Sequence, residues 1–175
     1  QVVVSPFADW TIERDASRTE LYLDDMPSAV AQYAEAPPSD DDWQLGATGL
    51  VGRGNVGASP VRLDPKLAGY FAIFARPVGR SCMLRFSGEA FLRPGRTDPA
   101  QPEPFIGALD MTGKSVEILQ SRTKGLGLAA LRFVPVTEES ARSFNEQTEN
   151  PPLALSGVAD WHGIYSDTHK ATGGS

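Results

Sequence analysis

Gly69-Tyr70-Phe71-Ala72-Ile73-Phe74-Ala75 is the stretch on which the fold turns. It is rich in aromatic and β-branched side chains and apolar at consecutive positions, which predicts a central strand covered on both faces. Shorter runs of the same kind follow at residues 82–86, 90–92, 105–109, 116–119 and 128–136. Ahead of it, residues 21–23 and 43–45 read as strands, residues 29–33 as a short edge strand, and residues 60–65 as a short segment clipped by proline at both ends. Turn chemistry separates them. Asp24-Asp25-Met26-Pro27 reads as a turn, Ala36-Pro37-Pro38-Ser39-Asp40-Asp41-Asp42 as a polar loop, and residues 93–104 as a proline-rich crossing between sheets. Strands this short, spaced by roughly 8–12 residues, predict an all-β fold: a two-sheet antiparallel sandwich of jelly-roll type. Phe71, Ile73, Leu84, Phe86, Ile118, Leu131 and Phe133 are its expected core residues.

The pattern changes after residue 136. Thr137 is placed to cap a helix, Glu138 and Glu139 suit the positive end of its dipole, and Asn150-Pro151-Pro152 ends it. One short helix is predicted over 138–147, followed by a trailing apolar strand over 153–159. The expected organisation is an N-terminal lead-in (1–18), the sandwich (19–136), a helix and proline-rich linker (137–152), and a strand with a polar tail (153–175) that starts a following domain.

Composition agrees. The 175 residues include 17 glycines and 14 prolines, roughly 18% where ~12% is usual, which favours turns over long helices. A net charge of −6 speaks against nucleic acid and anionic membrane as partners, since both require a basic patch. Arg122-Thr123-Lys124 is too short to supply one and reads as a solvated loop. No apolar run is long enough to span a membrane as a helix, and Gln1-Val2-Val3-Val4 does not read as a signal peptide. The single cysteine, Cys82, excludes an intramolecular disulfide and reads as a buried, inert small hydrophobe.

Few motifs carry chemistry. Gly52-Arg53-Gly54-Asn55-Val56-Gly57 matches the dinucleotide-binding fingerprint, but Ala58-Ser59-Pro60 follows where a helix has to start, so the expectation is a glycine-rich loop. No metal site is expected. For Asp40-Asp41-Asp42 the reading is a solvated loop, with a structural calcium shared with Asp24 or Asp25 as the alternative and no other cofactor. Sugar rings stack on aromatic faces, which makes Trp43, Tyr33 and Tyr70 candidates for ligand contact against the competing role of core packing. The densest polar cluster is Asp160-Trp161-His162 with Asp167 and His169. Asp160 and His162 are the candidate catalytic residues, and Trp43, Asp160, Trp161, His162 and His169 the candidate ligand-binding residues. The competing reading is a polar loop after a strand.

Trp43-Gln44-Leu45-Gly46, Pro60-Val61-Arg62-Leu63-Asp64-Pro65, Leu109-Asp110-Met111-Thr112-Gly113 and the run from Leu131 to Glu139 resemble a family of large, secreted, carbohydrate-active bacterial proteins. In that family an N-terminal β-sandwich precedes a glycosidase-like barrel. The resemblance covers roughly residues 19–149, and Asp160-Trp161-His162 falls where the first barrel strand would end. It implies a non-catalytic carbohydrate-associated module, a polysaccharide or oligosaccharide as partner, a following catalytic domain, and a secreted or periplasmic location. The chain departs from it in lacking the ~200 residues that a barrel requires. No glycosidase activity is therefore expected of residues 1–175 alone. The alternative from another class is a structural or assembly sandwich of adhesin or capsid type.

Overall fold

The computed structural model describes residues 2–7, 10–88, 90–92 and 102–149. Among these residues, twelve strands and two helices run in the order β1 (Val2–Phe7), β2 (Trp10–Glu13), β3 (Leu21–Leu23), α1 (Met26–Tyr33), β4 (Trp43–Gly46), β5 (Gly49–Gly52), β6 (Val61–Leu63), β7 (Tyr70–Val78), β8 (Met83–Phe86), β9 (Ala90–Leu92), β10 (Phe105–Asp110), β11 (Val116–Leu119), β12 (Gly127–Pro135) and α2 (Glu138–Glu149). Strands β5 to β12 build two antiparallel sheets. One has the order β10-β7-β12-β5 and is extended by β4, with β3 pairing to β12; the other has the order β6-β11-β8-β9. Successive strands mostly alternate between sheets: β5 lies in the first, β6 in the second, β7 back in the first. Eight strands shared out in this way form a jelly roll. β1 and β2 make a separate hairpin.

The central strand behaves as its composition demands. Phe71, Ile73 and Ala75 enter the core between the sheets, where they meet Leu131 and Phe133 of the first sheet and Leu84, Phe86 and Ile118 of the second. Phe71 and Phe133 pack edge to face, with ring centroids 6.2 Å apart. All seven expected core residues are buried. Ala72 and Phe74 face the other way and pack with Ile12, Phe105, Val134, Val136 and, from α2, Ala141 and Phe144. The six-stranded sheet is thus covered on both sides, by a sheet on one and a helix on the other.

Two proline and glycine positions show how the ladder tolerates its exceptions. Pro77 lies within β7, yet β10 pairs with β7 only as far as Phe74, so among the described residues Pro77 stands beyond that ladder. It also sits at a bulge, where Leu128 and Ala130 of β12 pair with Pro77 and Arg76. Gly127 lets β12 cross β5 closely; a Cβ there would lie 1.9 Å from the Leu50 carbonyl oxygen.

Residues 26–33 are helical, which overturns both the expected turn at 24–27 and the expected edge strand at 29–33. Five apolar-leaning residues are too few to separate a period of 2 from one of 3.6, and the capping chemistry decides. The Asp25 carboxylate accepts from the Ser28 backbone N–H and hydroxyl, and Pro27 occupies the first turn, where its missing N–H costs nothing. Met26, Ala29 and Val30 are buried. The chain leaving α1 then covers the β6 edge: the Glu35 N–H donates to the Arg62 carbonyl and the Asp64 N–H to the Tyr33 carbonyl. At the other end of the fold, Thr137 caps α2 as expected, its Oγ1 accepting from the Ser140 N–H at 3.4 Å. The trailing strand expected at 153–159 lies outside the described residues.

Candidate functional site

The outer face of the four-stranded sheet carries a charged row that follows directly from register. In β6, β8 and β11, one charged residue sits between apolar neighbours: Val61-Arg62-Leu63, Leu84-Arg85-Phe86 and Val116-Glu117-Ile118. Alternation sends the apolar residues to the core and the charged ones outward. The ladder places Glu117 opposite Arg62 on one side and opposite Arg85 on the other. Cross-strand neighbours on one face lie within reach of long side chains, so the three groups meet.

Their contacts are short. Arg85 Nε donates to Glu117 Oε1 at 2.6 Å and its Nη2 to Oε2 at 3.3 Å, while Arg62 Nη2 donates to Oε2 at 2.7 Å. Arg62 also lies 3.9 Å from Glu35. Glu117 is only 2% exposed although it faces outward, because the two guanidinium groups lie over it. Hydrogen bonding by Arg85, seconded by Arg62, holds its carboxyl below the usual carboxylate range against the opposing effect of burial. The result is a row of planar charged groups fixed in orientation. Ser87, Gly88 and Ser115 join them around a shallow cavity of about 340 Å³. The Ser115 N–H donates to Ser87 Oγ at 2.8 Å and the Ser87 N–H to the Ser115 carbonyl at 3.1 Å, which fixes that rim.

The glycine-rich loop has a structural account. The Gln120 side-chain carbonyl accepts from the N–H groups of Gly54 and Asn55 at 3.0 and 2.9 Å, and its amide donates to the Asp42 carbonyl. The N–H groups that a phosphate would need are therefore occupied from within the protein. Gly52 is required because a Cβ there would come within 2.9 Å of the Gln120 side chain. No helix follows the loop; residues 61–63 form β6.

Of the residues singled out in the sequence, Trp43 is in the core at 3% exposure and offers no face to a ligand, which removes it from the ligand-binding set. Tyr33 and Tyr70 are half-buried and pack against the two core clusters. Tyr22 is the more exposed ring at 36%, but the Arg132 guanidinium lies 4.0 Å over it. Asp160, Trp161, His162, Asp167 and His169 lie outside the described residues. Asp25 is committed to capping α1, Asp42 accepts from the Asn55 side chain, and among the described residues no three His, Cys, Asp or Glu side chains gather to hold a metal ion. Cys82 is buried, and burial pushes its thiol up to about 12, which makes it a poor nucleophile. Among the described residues no helix is long and apolar enough to cross a membrane.

No family model, curated protein or solved structure matches this chain.

Proposed function

We propose that the chain is a non-catalytic, carbohydrate-associated β-sandwich module that works beside a catalytic domain in a secreted glycoside hydrolase. The observation that supports this reading is the outward-facing Arg62–Glu117–Arg85 row, over which no helix lies among the described residues. Vicinal sugar hydroxyls both donate and accept, so they suit a surface where guanidinium donors and a carboxylate acceptor alternate in one row. Serine hydroxyls at Ser87 and Ser115 extend that set. A neutral glycan also avoids the repulsion that a protein of net charge −6 imposes on polyanions. Jelly rolls serve as lectin domains and as capsid subunits alike, so the architecture alone does not choose between binding and assembly.

The test is a glycan array followed by titration of the purified chain. Binding of at least one oligosaccharide in the millimolar range or tighter is expected, weakened about tenfold or more by Arg62→Ala or Arg85→Ala. No binding to any polysaccharide, together with self-association, would replace this reading with the structural or assembly one. Turnover of a glycoside by the chain, abolished by Asp160→Asn, would replace it with an enzyme.

A further inference from the structure

A second cavity, of about 300 Å³, opens at one end of the sandwich. It lies where the β7–β8 turn meets the β11–β12 loop. Cys82, Met83, Leu119 and Leu126 form an apolar floor, and Arg80, Ser121 and Thr123 a polar rim. The volume is at the lower limit of roughly 300–1,000 Å³ found for small-molecule sites, and the lining has their usual make-up, apolar walls with few convergent polar groups.

Charge makes the cavity more specific. Arg80 donates to Thr123 Oγ1 at 3.5 Å, which joins the turn to the loop, and Arg122 and Lys124 flank Thr123 on that loop. Among the described residues no carboxylate lies within ion-pair distance of Arg80, Arg122 or Lys124. Arg62, Arg76, Arg85 and Arg132, on the sheet faces, all have acidic partners. Arg80 thus lines an amphipathic cavity without a carboxylate partner among the described residues, in a protein of net charge −6, and two further cations without such partners adjoin the lining residue Thr123 in the chain. The sequence reading of Arg122-Thr123-Lys124 as a solvated loop leaves this grouping unseen, because Arg80 joins it only through the fold.

We propose that this cavity binds a small organic carboxylate, its apolar body on Met83, Leu119 and Leu126 and its anionic head at the Arg80 guanidinium. Arg80 supplies the planar fork that pairs with a carboxylate. Arg122 and Lys124 add attraction that weakens with salt. The site is separate from the Arg62–Glu117–Arg85 sheet face and stands or falls independently of glycan binding there.

Titration of the full chain with hexanoate and benzoate, against hexanamide and benzamide as neutral isosteres, tests the proposal by calorimetry and ligand-observed NMR. One acid is expected to saturate with Kd of about 1–10 mM and its amide to bind about tenfold more weakly. Arg80→Gln should bring the acid to the amide's level. Leu126→Trp, which fills the cavity, should abolish both, and Thr123→Trp at the exposed rim does the same where the first variant fails to fold. Arg142→Ala, on α2, should leave binding of the acid unchanged. Equal affinity for acid and amide, binding that survives both filling variants, or no saturation by either acid would overturn the proposal.

Discussion

The two sheets of this protein turn very different outer faces to their surroundings. That of the six-stranded sheet is closed by α2, which brings Ala141 and Phe144 onto Ala72, Phe105 and Val134. That of the four-stranded sheet is covered by no helix among the described residues and carries Arg62, Glu117 and Arg85. Strand sequence accounts for the difference. β7 is apolar at consecutive positions and must be covered twice, whereas β6, β8 and β11 alternate and can leave one side to water. Burial on the first face serves stability. On the second, Glu117 is hidden by its own ion pairs, so the face stays polar, rigid and reachable, which suits a recognition surface better than a packing one.

The contrast is sharpened by truncating each layer in turn. Phe133→Ala, in the core between the sheets, should have the largest effect, a loss of about 3–5 kcal/mol by denaturant unfolding. Phe144→Ala tests whether α2 is part of the same cooperative unit. It should cost about 3 kcal/mol in the same transition, and an unchanged midpoint would mean that the helix does not stabilise the sheet beneath it.

On the open face, Glu117→Ala should cost about 1–3 kcal/mol, less than the ~3–5 kcal/mol of a fully buried pair, because Arg62 and Arg85 can turn to water. Arg62→Ala should cost less than Glu117→Ala, because Arg62 is the solvent-exposed partner of the pair. A larger loss at Arg62 than at Phe144 would invert the comparison. Thr137→Ala, which removes the cap of α2, should cost about 1 kcal/mol.

Acid adds a further probe of the open face. The Glu117 carboxyl is held below its ordinary 4.5 in the fold, so its contribution is complete above that value and is lost as pH falls through the lowered one. Asp15 behaves alike: hydrogen bonds from the Ser17 hydroxyl and then from Arg18 lower its carboxyl from 3.8 to about 2. Stability should therefore decline from about pH 5 toward pH 2, and the decline should be shallower in Glu117→Gln and in Asp15→Asn. Melting curves across that range decide it, and a Glu117→Gln curve parallel to the parent would show that the ion pairs do not couple to folding.

Arg18 illustrates what periodicity cannot show. Its guanidinium donates to the carbonyls of Ala68, Tyr70 and Val136 at 2.9, 2.8 and 2.7 Å and lies 4.9 Å over the Phe71 ring, binding the start of β7 to the residue after β12. All three carbonyls are 50 or more positions away in the chain. Strand β5 escaped the sequence reading for a different reason. Leu50 and Val51 are its only apolar residues, enclosed by Gly49 and Gly52, and glycine normally marks the end of a strand rather than two strands crossing at close range. Helix α1 was legible, but in Asp25 and Pro27 rather than in the apolar pattern.

By itself the sequence determined the strands with strong alternation, the seven core residues, the cap of α2, and the inert, buried nature of Cys82, because each depends on local periodicity or on a residue's own chemistry. It also held the outward placement of Arg62, Arg85 and Glu117, each enclosed by apolar neighbours. Only the tertiary structure decided that these three form one row, since that requires the register of β6 and β8 on β11, set by pairings 32 to 55 residues apart in the chain. It likewise placed Trp43 inside, where the sequence left surface and core both open. Alternation tells which side of a strand a residue takes, but only strand pairing tells what stands beside it.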